Sequence, residues 1–126
     1  MKSMPSGYGA MKAKNMQEKN LTADYTIDPL KDIGVCFTNT GASGAVEITL
    51  PDATVGQVYR VRTDAAQTVE LDPQDSDDIT NISGVDSTNG KHIISNGDGN
   101  EYLEIVCYAA GHWTVTEQLG TWAMQQ

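Results

Sequence analysis

From Leu21 to Glu117 the apolar residues fall at every second position in short runs, and each run is closed by Gly, Pro, Asn or Asp. Period two sends successive side chains to opposite faces of a strand, whereas a helix needs a period of 3.6. Leu21, Ala23, Tyr25 and Ile27 share one face, with Thr22, Asp24 and Thr26 on the other. The alternation returns in residues 34–38, 45–50, 57–63, 67–71, 91–95, 101–109 and 112–117. In the second of these, Val46, Ile48 and Leu50 lie opposite Glu47 and Thr49; in the third, Tyr59 and Val61 lie opposite Arg60 and Arg62; in the fourth, Val69 and Leu71 lie opposite Thr68 and Glu70. Pro51 and Pro73 end their runs because proline cannot donate to a central ladder. The turn residues 39–44 predict a hairpin or a short connected pair of 34–38 with 45–50, and Ala110-Gly111 predicts a pairing of 101–109 with 112–117. The strongest turn signal is Asn96-Gly97-Asp98-Gly99-Asn100. Residues 74–90 read as an irregular crossover with one short strand, and no internal repeat of fixed period is visible.

Strands spaced about ten residues apart, with turn signals between them, predict an all-β fold: a compact antiparallel sandwich or barrel of about eight short strands with an extended N-terminal arm. A chain of 126 residues supports one domain. Residues 1–19 read as a flexible basic arm, and residues 20–126 as a single β domain with a short C-terminal tail from Leu119 onward. Pro5, Gly7 and Gly9 break any early helix, and Ala10 to Lys19, although rich in helix formers, is too short to persist alone as a helix in water. Four lysines stand against Glu18 in the arm, while the body sets four basic side chains against sixteen acidic ones, for a net charge of −9. An acidic body repels nucleic-acid phosphates and anionic membranes, so neither is expected as a ligand. With no apolar stretch of ~20 residues and no signal-peptide core, the chain is expected to be soluble and not exported by that route.

Cys36 and Cys107 lie in apolar runs without zinc-ligand spacing and are expected to be buried free thiols, although strand adjacency, which would permit a bridge, is not readable from sequence. His92 and His112 stand in no nucleophile or metal pattern, and Thr40-Gly41-Ala42-Ser43-Gly44 matches neither a nucleophile elbow nor a phosphate loop. Asp72, Asp75, Asp77 and Asp78 are closely spaced enough to suggest a hard cation, but they miss the calcium-loop pattern and read as a solvated acidic turn. No catalytic residue, cofactor or metal is therefore expected, and the chain is not read as an enzyme.

The run Ile48-Thr49-Leu50-Pro51-Asp52-Ala53-Thr54-Val55-Gly56 with its following strand, then Val69-Glu70-Leu71-Asp72-Pro73, then Tyr108-Ala109-Ala110-Gly111-His112-Trp113 and the closing Gly120-Thr121-Trp122, resembles small β domains of tailed-bacteriophage virion proteins. The resemblance spans residues 45 to 122. It implies a structural protein, commonly a homotrimer, most simply a head decoration (cement) protein that stabilises the capsid shell. Its partner would be the major capsid protein and its location the capsid surface of the virion, after synthesis in the bacterial host cytoplasm. The alternatives are a head or tail fibre, or a carbohydrate-binding module that recognises a host surface. An N-terminal arm like the one here is similar to the way decoration proteins tie themselves to shells, which makes Met4, Met11, Lys12, Lys14, Met16 and Lys19 the candidate capsid contacts.

Overall fold

The computed structural model describes residues 17–125, which form eleven strands and no helix. In chain order they are β1 (Gln17–Asn20), β2 (Tyr25–Thr26), β3 (Val35–Thr38), β4 (Val46–Thr49), β5 (Val58–Arg62), β6 (Val69–Asp72), β7 (Asp78–Thr80), β8 (Ile93–Ser95), β9 (Tyr102–Ala109), β10 (His112–Leu119) and β11 (Trp122–Met124). Six make one sheet in the order β1-β3-β5-β9-β10-β7, and five make a second in the order β11-β8-β6-β4-β2.

The chain changes sheet at almost every step, and this corrects the expectation of an antiparallel fold. Because β3 and β4 enter different sheets, residues 39–44 carry the chain between sheets and make no hairpin. Strands that neighbour each other within a sheet are then successive passes in one direction, so β1, β3 and β5 run parallel, as do β2, β4 and β6. Tyr25 sits beside Ile48, and Ile48 beside Leu71, each one winding of the chain apart. The winding leaves no trace of a repeat in residue identity, because it requires only an inward apolar residue at each pass. Asn39 holds the crossover: its Oδ1 accepts from the Asp64 and Ala65 amides (2.7 and 2.9 Å), and its Nδ2 donates to the Ala65 and Gln67 carbonyls (3.1 and 3.3 Å). A buried amide with all its bonds made fixes a turn where it would otherwise cost stability.

The C-terminal third closes the winding with antiparallel partners: β9 pairs with β5, β8 pairs with β6, and β10 returns along β9 in the expected pairing. Phe37, Val46, Ile48, Leu71, Ile93, Leu103, Ile105 and Trp113, drawn from both sheets, lie in one buried cluster. Each such side chain contributes about 1.5–3 kcal/mol on burial. Cys107 belongs to that cluster, while Cys36 alternates away from it with Glu18 and Arg60 beside it in register; both thiols are buried and free.

Two strands lie where none was expected. Gln17, Glu18 and Lys19, read as the end of the arm, belong to β1, which pairs with β3 and carries an ion pair from Glu18 to Arg62. The segment read as a C-terminal tail contains β11, whose Trp122 is buried and donates its indole N–H to the Leu119 carbonyl at 3.2 Å. Among the described residues no helix is long and apolar enough to cross a membrane.

Candidate functional site

Of the candidate contact residues, Met4, Met11, Lys12, Lys14 and Met16 lie outside the described residues. Lys19 projects from β1 with its ammonium 4.7 Å from the centre of the Tyr25 ring, a cation–π contact.

The acidic turn comes apart into separate roles. Asp77 and Asp78 are buried, not solvated: Asp77 Oδ2 accepts from the Ala53 amide (2.9 Å), and Asp78 Oδ1 lies 2.9 Å from His112 Nδ1. That hydrogen bond and the Asp78 charge push His112 above its ordinary pKa. Asp72 ends β6 and turns to the outer face of the second sheet, 3.0 Å from His92. The aromatics Trp113 and Trp122 are buried, and among the described residues Tyr108 is the strongly exposed large aromatic.

The exposed side chains that stand out are aliphatic, and they fall at two places. At the first, residues 28–34 form a braced loop between β2 and β3. Pro29 presets its own φ, Asp28 Oδ1 accepts from the Leu30 amide at 2.9 Å, and the Asp28 carbonyl accepts from the Lys31 and Asp32 amides (3.1 and 2.9 Å). Buried Asp32 then ties the loop down, its Oδ2 accepting from the Asp28 amide and the Tyr25 hydroxyl, both at 2.8 Å. The bond to Asp32 raises the Tyr25 hydroxyl above its ordinary pKa, and desolvation adds to it. The bracing holds Leu30 and Ile33 outward at 87% and 76% exposure. Ile33, Val55, Val58, Tyr59 and Arg60 line an adjoining groove of about 470 Å³.

The second place is the far end of the β5–β9 ladder. Val58 pairs with Val106 at the groove end, and Arg62 with Tyr102 at the other. Beyond Tyr102 a shallower hollow is lined by Ile82, Thr116 and Leu119, and both aliphatic residues are more than half exposed. Scattered exposed aliphatics need no explanation, but aliphatic side chains gathered about a hollow make these two places the candidate contact surfaces. Sequence reading missed both patches, because Leu30, Ile33 and Ile82 sit in loops where no periodicity says which way they face. Compared with known proteins, the chain matches no family model and no curated protein.

Proposed function

We propose that this chain is a structural protein of a phage virion, a head decoration protein that assembles as a homotrimer and binds the capsid shell without catalysing a reaction. The observation that carries the reading is the pair of unlike aliphatic patches at opposite ends of the β5–β9 ladder. A face that meets itself across a two-fold axis needs one patch; a ring in which each copy meets two neighbours head to tail needs two different ones. In this reading the Leu30–Ile33 loop and groove of one copy receive the Ile82–Leu119 surface of the next. The two sheets stack as a sandwich, which the shared core supports, and Met4, Met11, Lys12, Lys14, Met16 and Lys19 are the capsid contacts.

Light scattering tests the ring. Wild-type protein is expected at the trimer mass, and Ile33→Asp and Leu119→Asp each at lower mass. An equal mixture of the two variants keeps one intact interface and is expected to stop at dimers. A monomeric wild type at micromolar concentration, or variants that remain trimeric, would overturn it. Co-sedimentation with undecorated capsids tests the attachment. The truncation to compare should begin at Gln17, because removing residues 17–19 would also take away β1. Undiminished binding by that truncation would move the capsid contact off the arm.

A further inference from the structure

On the outer face of the second sheet, β4, β6 and β8 bring three carboxylates around one imidazole. Parallel register sets Glu47 directly beside Glu70, and Asp72 follows Glu70 on the same face of β6. Leu71 pairs with Ile93, which places His92, one residue before β8, alongside Asp72. His92 Nδ1 lies 3.0 Å from Glu70 Oε2 and 3.7 Å from Glu47 Oε2, while Nε2 lies 3.0 Å from Asp72 Oδ1. One oxygen or nitrogen each from Glu47, Asp72 and His92 lies within 4.8 Å of the other two.

We propose that His92, Asp72 and Glu47 bind a divalent transition-metal ion of the zinc type, with Glu70 holding the imidazole in position. A neutral imidazole carries a single N–H, and carboxylates carry none. If Nδ1–H donates to Glu70, the Nε2 lone pair faces the Asp72 oxygen. Two lone pairs at that distance repel unless they share a cation, which is either a proton on Nε2 or a metal ion held by both atoms. Ligands held ~2.0–2.2 Å from a zinc-type ion at roughly 90–110° stand about 3.0–3.5 Å apart, so the Nε2 to Oδ1 separation already has the length of a coordination edge. The Nδ1–H to Glu70 contact is the arrangement that orients a metal-binding histidine and raises its basicity. The mixed nitrogen and oxygen donors favour zinc-type ions over calcium, which takes oxygen alone.

Two further features argue against accidental crowding. Like charges directly opposite on a sheet face are destabilising, so the Glu47–Glu70 pair calls for a compensating positive charge, which an imidazolium or a bound metal ion supplies. The backbone of His92 is also held in place: its carbonyl accepts from the Gln125 amide at 2.9 Å, and its amide donates to Gln125 Oε1 at 3.1 Å. The side chain is mostly covered, with 17% exposed. Glu47 is more exposed than Asp72 and its 3.7 Å contact is to Nδ1, so it would complete the ligand set by rotating its side chain toward Nε2; its backbone is steadied by the bond from its amide to Asp24 Oδ1 at 2.9 Å. An ion here would clasp three strands of the second sheet.

The test is zinc titration of chelator-treated wild-type protein by calorimetry, with thermal unfolding followed in parallel. One ion per chain is expected, with a rise in the unfolding temperature. His92→Gln and Asp72→Asn should each weaken binding at least tenfold. Glu70→Gln should weaken it by roughly 10–100-fold through the imidazole. His112→Gln should leave it unchanged. Should a variant fold poorly, wild type alone decides the matter: cobalt(II) added substoichiometrically should broaden the His92 ring proton signals before those of His112. Absence of saturable binding to the wild type, binding that survives His92→Gln, or broadening that begins at His112 would each overturn the proposal.

Discussion

Replacing Gly120 with alanine should destabilise the protein far more than the same change at Gly84. Both glycines have positive φ, 76° and 85°, so an alanine at either pays the left-handed backbone penalty of about 1–2 kcal/mol. Their surroundings differ. Around Gly84 a new Cβ meets nothing within 4 Å, whereas at Gly120 it would stand 2.7 Å from Glu101 Cγ and 3.3 Å from Glu101 Cα. Glu101 cannot step aside, because its carboxylate is fastened by several donors. Oε1 accepts from the Thr63 hydroxyl (2.5 Å) and the Gly99 amide (3.2 Å), and Oε2 accepts from the Asp98 amide (3.0 Å). Overpacking against a fixed neighbour costs about 1–3 kcal/mol, which brings Gly120→Ala to about 2–5 kcal/mol in total. The gain from a stiffer unfolded chain is shared by the two substitutions and cancels in their difference. Urea unfolding followed by tryptophan fluorescence gives both values, provided the slope with denaturant is unchanged. In a Glu101→Ala background the extra cost of Gly120→Ala should shrink towards that of Gly84→Ala. Equal costs at the two glycines in the wild-type background, within about 0.5 kcal/mol, would refute the steric reasoning.

Glu101 also sets an acid limit. Burial pushes its carboxyl upward, but the bonds from Thr63, Asp98, Gly99 and Asn96 outweigh this and hold it below the usual carboxylate range. Its stabilisation is therefore complete above the unfolded value of about 4.3 and is lost as pH falls through the lower folded value. Glu101→Gln should cost about 1.5–3 kcal/mol at neutral pH and flatten the decline in acid, so parallel pH profiles for variant and wild type would count against it. Burial raises both the Cys36 and Cys107 thiols, so a thiol reagent should modify the native protein slowly and the urea-unfolded protein at once; fast native labelling of either residue would contradict this.

Most of the strands were legible because their faces differ chemically. Val46, Ile48 and Leu50 against Glu47 and Thr49 state both the strand and its inward side. β1 was hidden because Gln17-Glu18-Lys19-Asn20 has no apolar alternation; it is an edge strand recruited by pairing with β3 and by the Glu18–Arg62 ion pair. β11 was hidden by brevity, with Trp122 as its one deeply buried residue. Pairing direction was legible only at the tight Ala110-Gly111 turn; elsewhere it was not, since period two is the same in parallel and antiparallel ladders and only the destination of each crossover decides between them. The His92 cluster failed to announce itself for that reason. Glu47 and Glu70 were readable as outward-facing and Asp72 as part of an acidic turn, but nothing in the chain order says that β4, β6 and β8 stand side by side.

The winding of the first six strands has a consequence for how the chain is made. Synthesis delivers residues 17–72 first, and their passes can stack as they emerge, yet the last pass leaves β5 and β6 with bare edges. Those edges are covered by β9 and β8, which come later, and the local β9–β10 hairpin and then β11, which pairs with β8, complete the two sheets. A nascent chain halted near Lys91 would carry two open, aliphatic strand edges of the kind that recruit other chains. The C-terminal third thus does for this protein what a capping repeat does for a solenoid: it ends a stack that would otherwise go on adding strands from its neighbours.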